Sequence, residues 1–257
     1  MNSFFKTLLM GMFFIGLFSC AGKTPYVSEL ADSKITIDGN SSEWSGDLQY
    51  IKNSTVAYGV KHDEENLYVC IKSTSRRFNR EMMTKGFYIW FDENGKSKKH
   101  TGIKYPTGLD PQIIMNMRRT NQQAEFPLFI PTEFEFYTNQ TDQMLMPLMN
   151  NVKNIEIEML SDQDIIVTEM KIPLDVVLEK FTKDEISKIG IGFELASIDR
   201  EKMMSEMGGM SGGRGGLPGR SGGRGGRGGQ GGMGGRSGMS RPEQTTFKKW
   251  IKVDISE

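Results

Sequence analysis

The side chains that could act as nucleophiles, acids or bases are few, and their spacing matches no catalytic pattern. His62 and His100, the two histidines, both lie in polar segments typical of turns. A serine or cysteine nucleophile needs a neighbouring base, and the sequence contains no Gly-x-Ser-x-Gly elbow. Hydrolysis of a glycosidic bond needs two carboxyl groups about 5–10 Å apart, whereas the acidic residues here lie mostly in turns or on alternating strand faces. The sequence therefore predicts a protein that is not an enzyme.

Cys20 ends an apolar segment at the start of the chain. Lys6 precedes the apolar run 7–18, which is too short to span a bilayer and has the layout of a secretory signal peptide. The segment 17–20 (LFSC) resembles the lipobox of bacterial lipoproteins, in which the cysteine becomes the lipidated first residue of the mature protein. This resemblance implies a signal peptide over 1–19, a lipid on Cys20 and a polar tether over 20–28. A conventional signal peptide with a chance cysteine is the alternative.

The residues after Cys20 bear on location and on disulfides. In some bacterial phyla an acidic cluster after the lipidated cysteine resembles a surface-export signal, and residues 21–24 contain no such cluster. Its absence favours a location on the periplasmic side of the outer membrane. Only Cys70 remains once Cys20 carries lipid, so no intramolecular disulfide can form. Cys70 lies in a strand-like apolar run, and we expect it to be a buried small hydrophobic residue.

Residues 207–242 form a glycine-rich insert that has no acidic residue. Such a segment cannot bury apolar surface and is predicted to be a disordered loop, and because a strand follows it, the loop lies within the domain. The insert has no aromatic residue to stack on a base, and an exported chain does not meet RNA, so nucleic acid is not an expected partner. A solvated spacer is the main interpretation, and contact with lipopolysaccharide phosphates or acidic glycans is the alternative. Its basic residues are Arg214, Arg220, Arg224, Arg227, Arg236 and Arg241.

The remaining sequence predicts an all-β fold. Short segments rich in Val, Ile, Tyr and Phe alternate with turn residues, and their gaps are mostly too short for helical crossovers. We therefore predict an antiparallel two-sheet β-sandwich, of jelly-roll or immunoglobulin type, over 29–257, with one short helix over 173–181. No strand is assigned within 107–150. The predicted strands cover 55–61, 66–73, 87–91, 155–160, 165–172, 189–198 and 247–255, after a first short segment at 34–37.

Three segments resemble the family-9-like carbohydrate-binding modules of the DOMON-like β-sandwich superfamily. They are 35–44 (ITIDGNSSEW), 63–69 (DEENLYV) and 86–92 (GFYIWFD). The first has the Ile-Asp-Gly-x-x-x-Glu-Trp opening of such domains, whose Trp44 we expect to plug the end of the sandwich. The resemblance implies the sandwich fold, and its superfamily includes sugar binders, haem carriers and members of unknown role.

The resemblance also implies candidate ligand contacts. Sugar-binding members hold a sugar between exposed aromatic rings, while polar side chains fix its hydroxyl groups. The candidates here are Tyr88 and Trp90, which share one face of their strand, and Trp250, which faces away from the apolar side of the last strand. A second buried face is the alternative for all three.

Calcium accompanies some members of the resembling family. The segment 92–95 (DENG) has oxygen donors, but its glycine comes too early for an EF-hand loop and the distal glutamate is missing. We therefore expect a tight hairpin turn there, and no metal or other cofactor. The prediction is a non-catalytic, lipid-anchored envelope protein that binds glycan. The alternative is a structural or protein-interaction lipoprotein, whose protein partner the sequence does not identify.

Overall fold

The described part of the chain consists mainly of β-strands. A computed structural model describes residues 26–27, 29–31, 34–110, 112–113, 130–178, 188–197 and 247–255. The strands are β1 Tyr26–Val27, β2 Glu29–Leu30, β3 Gln49–Tyr50, β4 Val56–His62, β5 Asn66–Ser73, β6 Phe87–Asp92, β7 Thr101–Lys104, β8 Glu133–Tyr137, β9 Gln143–Pro147, β10 Glu156–Asp162, β11 Ile165–Pro173, β12 Lys188–Leu195 and β13 Lys248–Asp254. The helices are α1 Arg76–Lys85 and α2 Leu174–Val177, and Ser41–Trp44 forms a 3₁₀ turn.

The strands form two sheets. One sheet has seven strands in the order β1-β13-β12-β6-β7-β8-β9, and the other has the order β10-β11-β5-β4-β2, with β3 also paired to β4. All pairings among the described residues are antiparallel except those of the two-residue strands β1 and β2, which run parallel to β13 and β4. The predicted class, an all-β antiparallel sandwich, is confirmed.

Every second side chain along a strand points into the space between the two sheets. On β6, Phe87, Ile89 and Phe91 are buried in the main core, while Tyr88 and Trp90 point to the opposite face of the strand. The core also contains Phe134 and Phe136 of β8 and inward residues of β4, β5, β11 and β12. The apolar face of the seven-stranded sheet therefore packs in the core, and the face that carries Tyr88 and Trp90 is the outer face of this sheet.

A second apolar cluster covers the outer face of the six-stranded sheet. Trp44, Cys70 and Val167 are buried in this cluster, and Cys70 is fully buried as expected. Desolvation by burial, together with the charge of Glu169, raises the pKa of the Cys70 thiol well above its usual range. Trp44 lies against Gly59 on this face, so the expectation that it plugs the end of the sandwich is wrong.

Glu169 fixes the segment that carries Trp44. Its carboxylate, fully buried, accepts hydrogen bonds from Trp44 Nε1 at 2.6 Å, from the Gly39 backbone N–H at 2.7 Å and from the Asp38 N–H at 3.1 Å. Gly39 has φ of +78°, and a Cβ there would lie 2.8 Å from Leu160 Cβ. The Ile-Asp-Gly-x-x-x-Glu-Trp segment is therefore explained by folding: it closes the second apolar layer over a buried carboxylate.

The helix prediction was partly wrong. The predicted helix 173–181 is the single turn α2, and its last three residues lie outside the described part of the chain. The ten-residue α1 was missed because its sequence is largely polar. Its signals are Ser75, whose hydroxyl accepts the Phe78 N–H at 3.3 Å, and Gly86, which has φ of +95° directly after the helix.

Most strand predictions agree with the structure. The prediction for 66–73 coincides with β5, and β4, β6, β10, β11, β12 and β13 differ from theirs by one to three residues at an end. The segment 34–37 forms no strand. Strands β8 and β9 lie within 107–150, where none was assigned, and Tyr26–Val27, inside the predicted tether, pairs with β13.

Two further expectations concern segments outside the described residues. The signal peptide, Cys20 and the 207–242 insert with its six arginines all lie there. Strands β12 and β13, which flank the insert in sequence, pair with each other, and the Leu195 N–H donates to the Phe247 carbonyl at 2.9 Å. No helix in the described part of the chain has the length and apolar character needed to cross a bilayer.

Candidate ligand-binding face

The three candidate aromatic residues lie on one face of one sheet. Register places Trp250 of β13 opposite Gly192 of β12, and Gly192 opposite Trp90 of β6. The same row continues through Gly102 of β7 to Tyr137 of β8. The row spans four strand spacings, roughly 19 Å. The prediction that Tyr88 and Trp90 share a strand face is confirmed, and the sheet order brings Trp250 to that same face.

Glycines in this row let the indole rings lie on the backbone. A Cβ added at Gly192 would meet Cε2 and Cζ2 of Trp250 at 2.7 Å and Cδ2 at 2.9 Å. Three ring atoms at nearly equal distance mean that the indole lies flat over Gly192. Trp90 covers Gly102 in the same way. Each tryptophan thus packs one ring face on the sheet, across the neighbouring strand.

Trp90 is the centre of an aromatic cluster with Tyr88 and Tyr137. Tyr88 and Trp90 stack with ring centroids 5.1 Å apart and planes at 19°. Tyr137 meets both rings edge-on, with centroids 5.5 Å from Tyr88 and 5.4 Å from Trp90. Trp90 is only 3% exposed, whereas Tyr88 and Trp250 are half-buried. Trp90 is therefore a support, and Tyr88 and Trp250 are the rings that reach the surface.

Two lysine–carboxylate pairs border the aromatic cluster. Lys104 binds Glu135 at 3.1 Å and lies 5.5 Å from the centroid of the Tyr88 ring. Lys99 binds Glu194 at 2.7 Å and lies 5.3 Å from the centroid of the Trp90 ring. Each ammonium thus contacts a carboxylate and an aromatic face at once, which holds the lysine side chains in place.

The hydroxyl groups of the cluster are uncharged and already hydrogen-bonded. Burial raises the pKa of Tyr88, the charges of Glu135 and Glu194 add to this, and a hydrogen bond with Tyr137 opposes it. Burial and the hydrogen bond to the Glu135 carboxylate hold the pKa of Tyr137 well above its usual range. The Tyr137 hydroxyl also contacts the exposed Gln143 amide at 2.7 Å. The cluster thus combines apolar ring faces with neutral and charged polar groups.

One polar atom in this cluster lacks a partner. Trp90 Nε1 is buried and has no hydrogen-bond partner among the described residues. A buried, unpaired N–H costs free energy, and such groups are rare in folded proteins.

Strands β6 and β7 form a hairpin as expected, but the connection is not tight, because residues 93–100 separate the two strands. The Asp92 carboxylate accepts the backbone N–H groups of Asn94 at 3.0 Å and Lys98 at 2.7 Å, and Gly95 has φ of +59°. These bonds occupy the Asp92 oxygens. The described ranges contain no group of three or more His, Cys, Asp or Glu side chains placed to hold a metal ion.

Several residues of this face were missed in the sequence. They are Tyr137, Glu135, Lys104, Lys99, Glu194, Gly102 and Gly192. Gly190 and Gly192 alternate along an otherwise apolar strand, and a strand glycine often marks a place where another group approaches the backbone closely. This pattern is the sequence signal from which the ring lying flat over β12 could have been predicted.

The comparisons with known proteins show a similarity of fold. No family model matches the chain, and no curated protein is matched. A family 9 carbohydrate-binding module from Caldicellulosiruptor kristjanssonii, solved with glucose, matches at 13% identity and a TM-score of 0.33, over 68% of this chain and 79% of that chain. The same module solved with cellotriose matches at 13% identity and a TM-score of 0.34, over 66% of this chain and 75% of that chain. Both matches are to solved structures of the family that the three sequence segments resemble.

Proposed function

We propose that the outer face of the seven-stranded sheet binds a carbohydrate. The observation that supports this is the row in which Trp250 and Trp90 lie flat over glycines, with Tyr88 stacked beside Trp90. The apolar faces of sugar rings pack on such aromatic surfaces. Trp250 and Tyr88 are two strand spacings apart and two residues out of register, so their backbones are separated by roughly 12 Å with β12 between them. A sugar chain lying across β12 would contact both half-buried rings.

Polar groups next to these rings would orient the sugar. Glu194 lies on β12 between Trp250 and Tyr88, and it is held by Lys99 at 2.7 Å. Lys104 and Glu135 lie on the other side of Tyr88. Carboxylates accept and ammonium groups donate hydrogen bonds, so each pair offers a sugar hydroxyl both kinds of partner. Because the pairs are already formed, ordering them on binding would cost little.

Trp90 would contribute through its edge instead of its ring face. Its Nε1 is buried and lacks a partner among the described residues, while its ring is packed beneath the surface. An oxygen of the ligand, or a water molecule that bridges to it, would accept this N–H and remove the cost of the unpaired donor.

We propose binding without catalysis at this face. The backbones of Glu135 and Glu194 lie three strand spacings apart in register, roughly 14 Å, whereas glycosidases place two carboxyl groups about 5–10 Å apart across the scissile bond. Each carboxylate is also held in an ion pair with a lysine. We propose no metal or cofactor requirement, so EDTA should leave ligand binding unchanged.

We also propose that Cys20 is lipidated and that the protein faces the periplasm from the outer membrane. The support is the LFSC sequence after a short apolar run. Metabolic labelling with a fatty acid should label the full chain and not Cys20→Ser. Equal labelling of both chains would refute the anchor, and membrane fractionation with protease accessibility tests the location.

The test of sugar binding uses the full chain, purified in detergent, on a glycan array and in calorimetric titrations. Trp250→Ala and Tyr88→Ala should each lose affinity by about fivefold or more, because a lost stacking ring removes on the order of 1 kcal/mol. Tyr50→Ala is the matched control, since Tyr50 is an aromatic residue 68% exposed on the other sheet. Equal affinity in all variants, or no glycan bound at all, would reject this face as a sugar site.

An apolar edge supports a second candidate function, protein interaction. Met144 and Leu145 on β9, with Met149 and Val152 just beyond it, are between 53% and 82% exposed. Strand β9 ends the seven-stranded sheet, and apolar edge strands are sites where other chains add. The test is to crosslink the wild type in the envelope, identify the recovered protein, and repeat the crosslinking with Leu145→Lys. If no glycan binds and Leu145→Lys no longer recovers that protein, protein interaction replaces sugar binding as the proposed function.

A further inference from the structure

We infer that the sugar bound at Trp250 is acidic, carrying carboxylate or sulfate groups. This inference rests on the proposed function and specifies its ligand class. Trp250 lies between Lys248 and Lys252 on β13, and alternation places all three side chains on the outer face of the sheet. Both lysines are exposed. One lysine therefore lies on each side of the stacking ring along the strand.

The spacing fits recognition of a charged sugar. Residues two apart on a strand are separated by roughly 6.5–7 Å, and a lysine side chain can extend over most of that distance. An acidic group on a sugar stacked on Trp250 would therefore lie within reach of one of the two ammonium groups, while the sugar chain continued across β12 towards Tyr88.

The other lysines of this face differ from these two. Lys99, Lys104 and Lys188 each pair with a carboxylate, at 2.7, 3.1 and 3.7 Å. Lys248 and Lys252 have no ion pair with any described residue.

The carboxylate opposite Lys248 in the strand register is already engaged. Glu194 is its register partner, and the Glu194 carboxylate is bound by Lys99. Lys248 and Lys252 are therefore cations beside Trp250 that lack a carboxylate partner among the described residues, and a ligand anion would supply one.

The expected effect is moderate and depends on salt. An exposed ion pair changes affinity by a factor of about 1.5 to 5, so two such contacts together contribute about 2- to 25-fold. Salt screens exposed charges within about 8–10 Å at physiological ionic strength. Affinity for an acidic glycan should therefore fall from 50 mM to 500 mM NaCl, and affinity for a neutral glycan should not.

The first experiment compares charge at constant sugar structure. The full chain is applied to an array of neutral, uronic-acid and sulfated oligosaccharides, and the strongest acidic ligand is titrated beside the same oligosaccharide after carboxyl reduction or desulfation. We expect a preference of about 2- to 25-fold for the charged form. Equal affinity for the two forms would overturn the inference and leave sugar binding intact, whereas binding to no glycan would overturn the proposed function as well.

The second experiment locates the charge effect. Lys248→Gln/Lys252→Gln should lose the preference for the charged form, and Trp250→Ala should weaken binding of both forms. Lys34→Gln/Lys52→Gln, which removes two exposed lysines elsewhere, is the matched control and should behave as the wild type. Acidic binding that persists in Trp250→Ala would place the cationic site elsewhere in the chain and refute the inference.

Discussion

Adding one methyl group at Gly192 tests whether Trp250 must lie flat on the sheet. The Cβ of Gly192→Ala would lie 2.7 Å from two atoms of the Trp250 ring, whereas ordinary contacts begin at 3.4 Å. The ring must therefore move by at least about 0.7 Å or tilt outward. Because Trp250 is half-buried, it can tilt, and we expect the protein to fold. The substitution thus perturbs the position of the ring while keeping its chemistry.

The magnitudes follow from packing. Overfilling a packed site costs about 1–3 kcal/mol, and alanine in place of a strand glycine returns roughly 0.5–1 kcal/mol. Because the ring can relieve the contact, we expect the free energy of unfolding of Gly192→Ala to lie within about 1 kcal/mol of the wild type. Displacing the stacking surface should weaken ligand binding by about fivefold or more.

Gly190→Ala is the matched control for Gly192→Ala. It makes the same chemical change on the same face of β12, and its Cβ would lie 3.4 Å from Asp92 Cβ, an ordinary contact. Urea unfolding followed by circular dichroism measures stability, and calorimetric titration of the glycan selected on the array measures affinity. Equal Kd values for the two variants and the wild type would show that the flat ring is irrelevant to binding.

Three further predictions concern packing and ionisation. Glu169→Ala should lower the free energy of unfolding by about 2–6 kcal/mol in urea, because Trp44 Nε1 and the Gly39 N–H lose a buried acceptor worth about 1–3 kcal/mol each; a loss below 1 kcal/mol would contradict this. Burial raises the pKa of Glu169, and the hydrogen bonds from Trp44 and the backbone oppose this shift. The contribution of Glu169 to stability is therefore fully present below about pH 4.5 and is lost as pH rises through the folded pKa. Glu169→Gln should therefore show a smaller decrease in unfolding free energy than the wild type from pH 4.5 to 7, and parallel curves would refute the assignment. Gly102→Ala, beneath the buried Trp90, should cost about 1–3 kcal/mol in thermal unfolding, since that ring cannot tilt into solvent as Trp250 can; an unchanged melting temperature would contradict the packing.

The strands were predictable where the local pattern was strong. The sequence of β5 is apolar from Leu67 to Ile71 because both faces of this strand are covered, by the main core and by the Trp44 cluster. The 3.6-residue pattern of α1 was hidden among charged residues, and only its Ser75 cap and Gly86 mark its ends. Strands β8 and β9 follow a stretch with no clear period.

The candidate face was predictable only in part. Tyr88 and Trp90 share a face because side chains alternate along any strand, so that two residues two positions apart lie on the same side of the sheet. The flat rings depend on Gly102 and Gly192, which belong to neighbouring strands. A glycine in one segment has no visible relation to a tryptophan in another until register pairs them.

The sequence by itself determined the alternation of side chains along each strand, because this alternation depends only on neighbouring residues. Only the tertiary structure decided that β12 pairs with both β6 and β13, and so joins Trp90 to Trp250 across 160 residues of sequence. The physical reason is that alternation is local, whereas strand order is selected by burial of the whole core. The same selection left Lys248 and Lys252 beside Trp250 without an ion pair among the described residues.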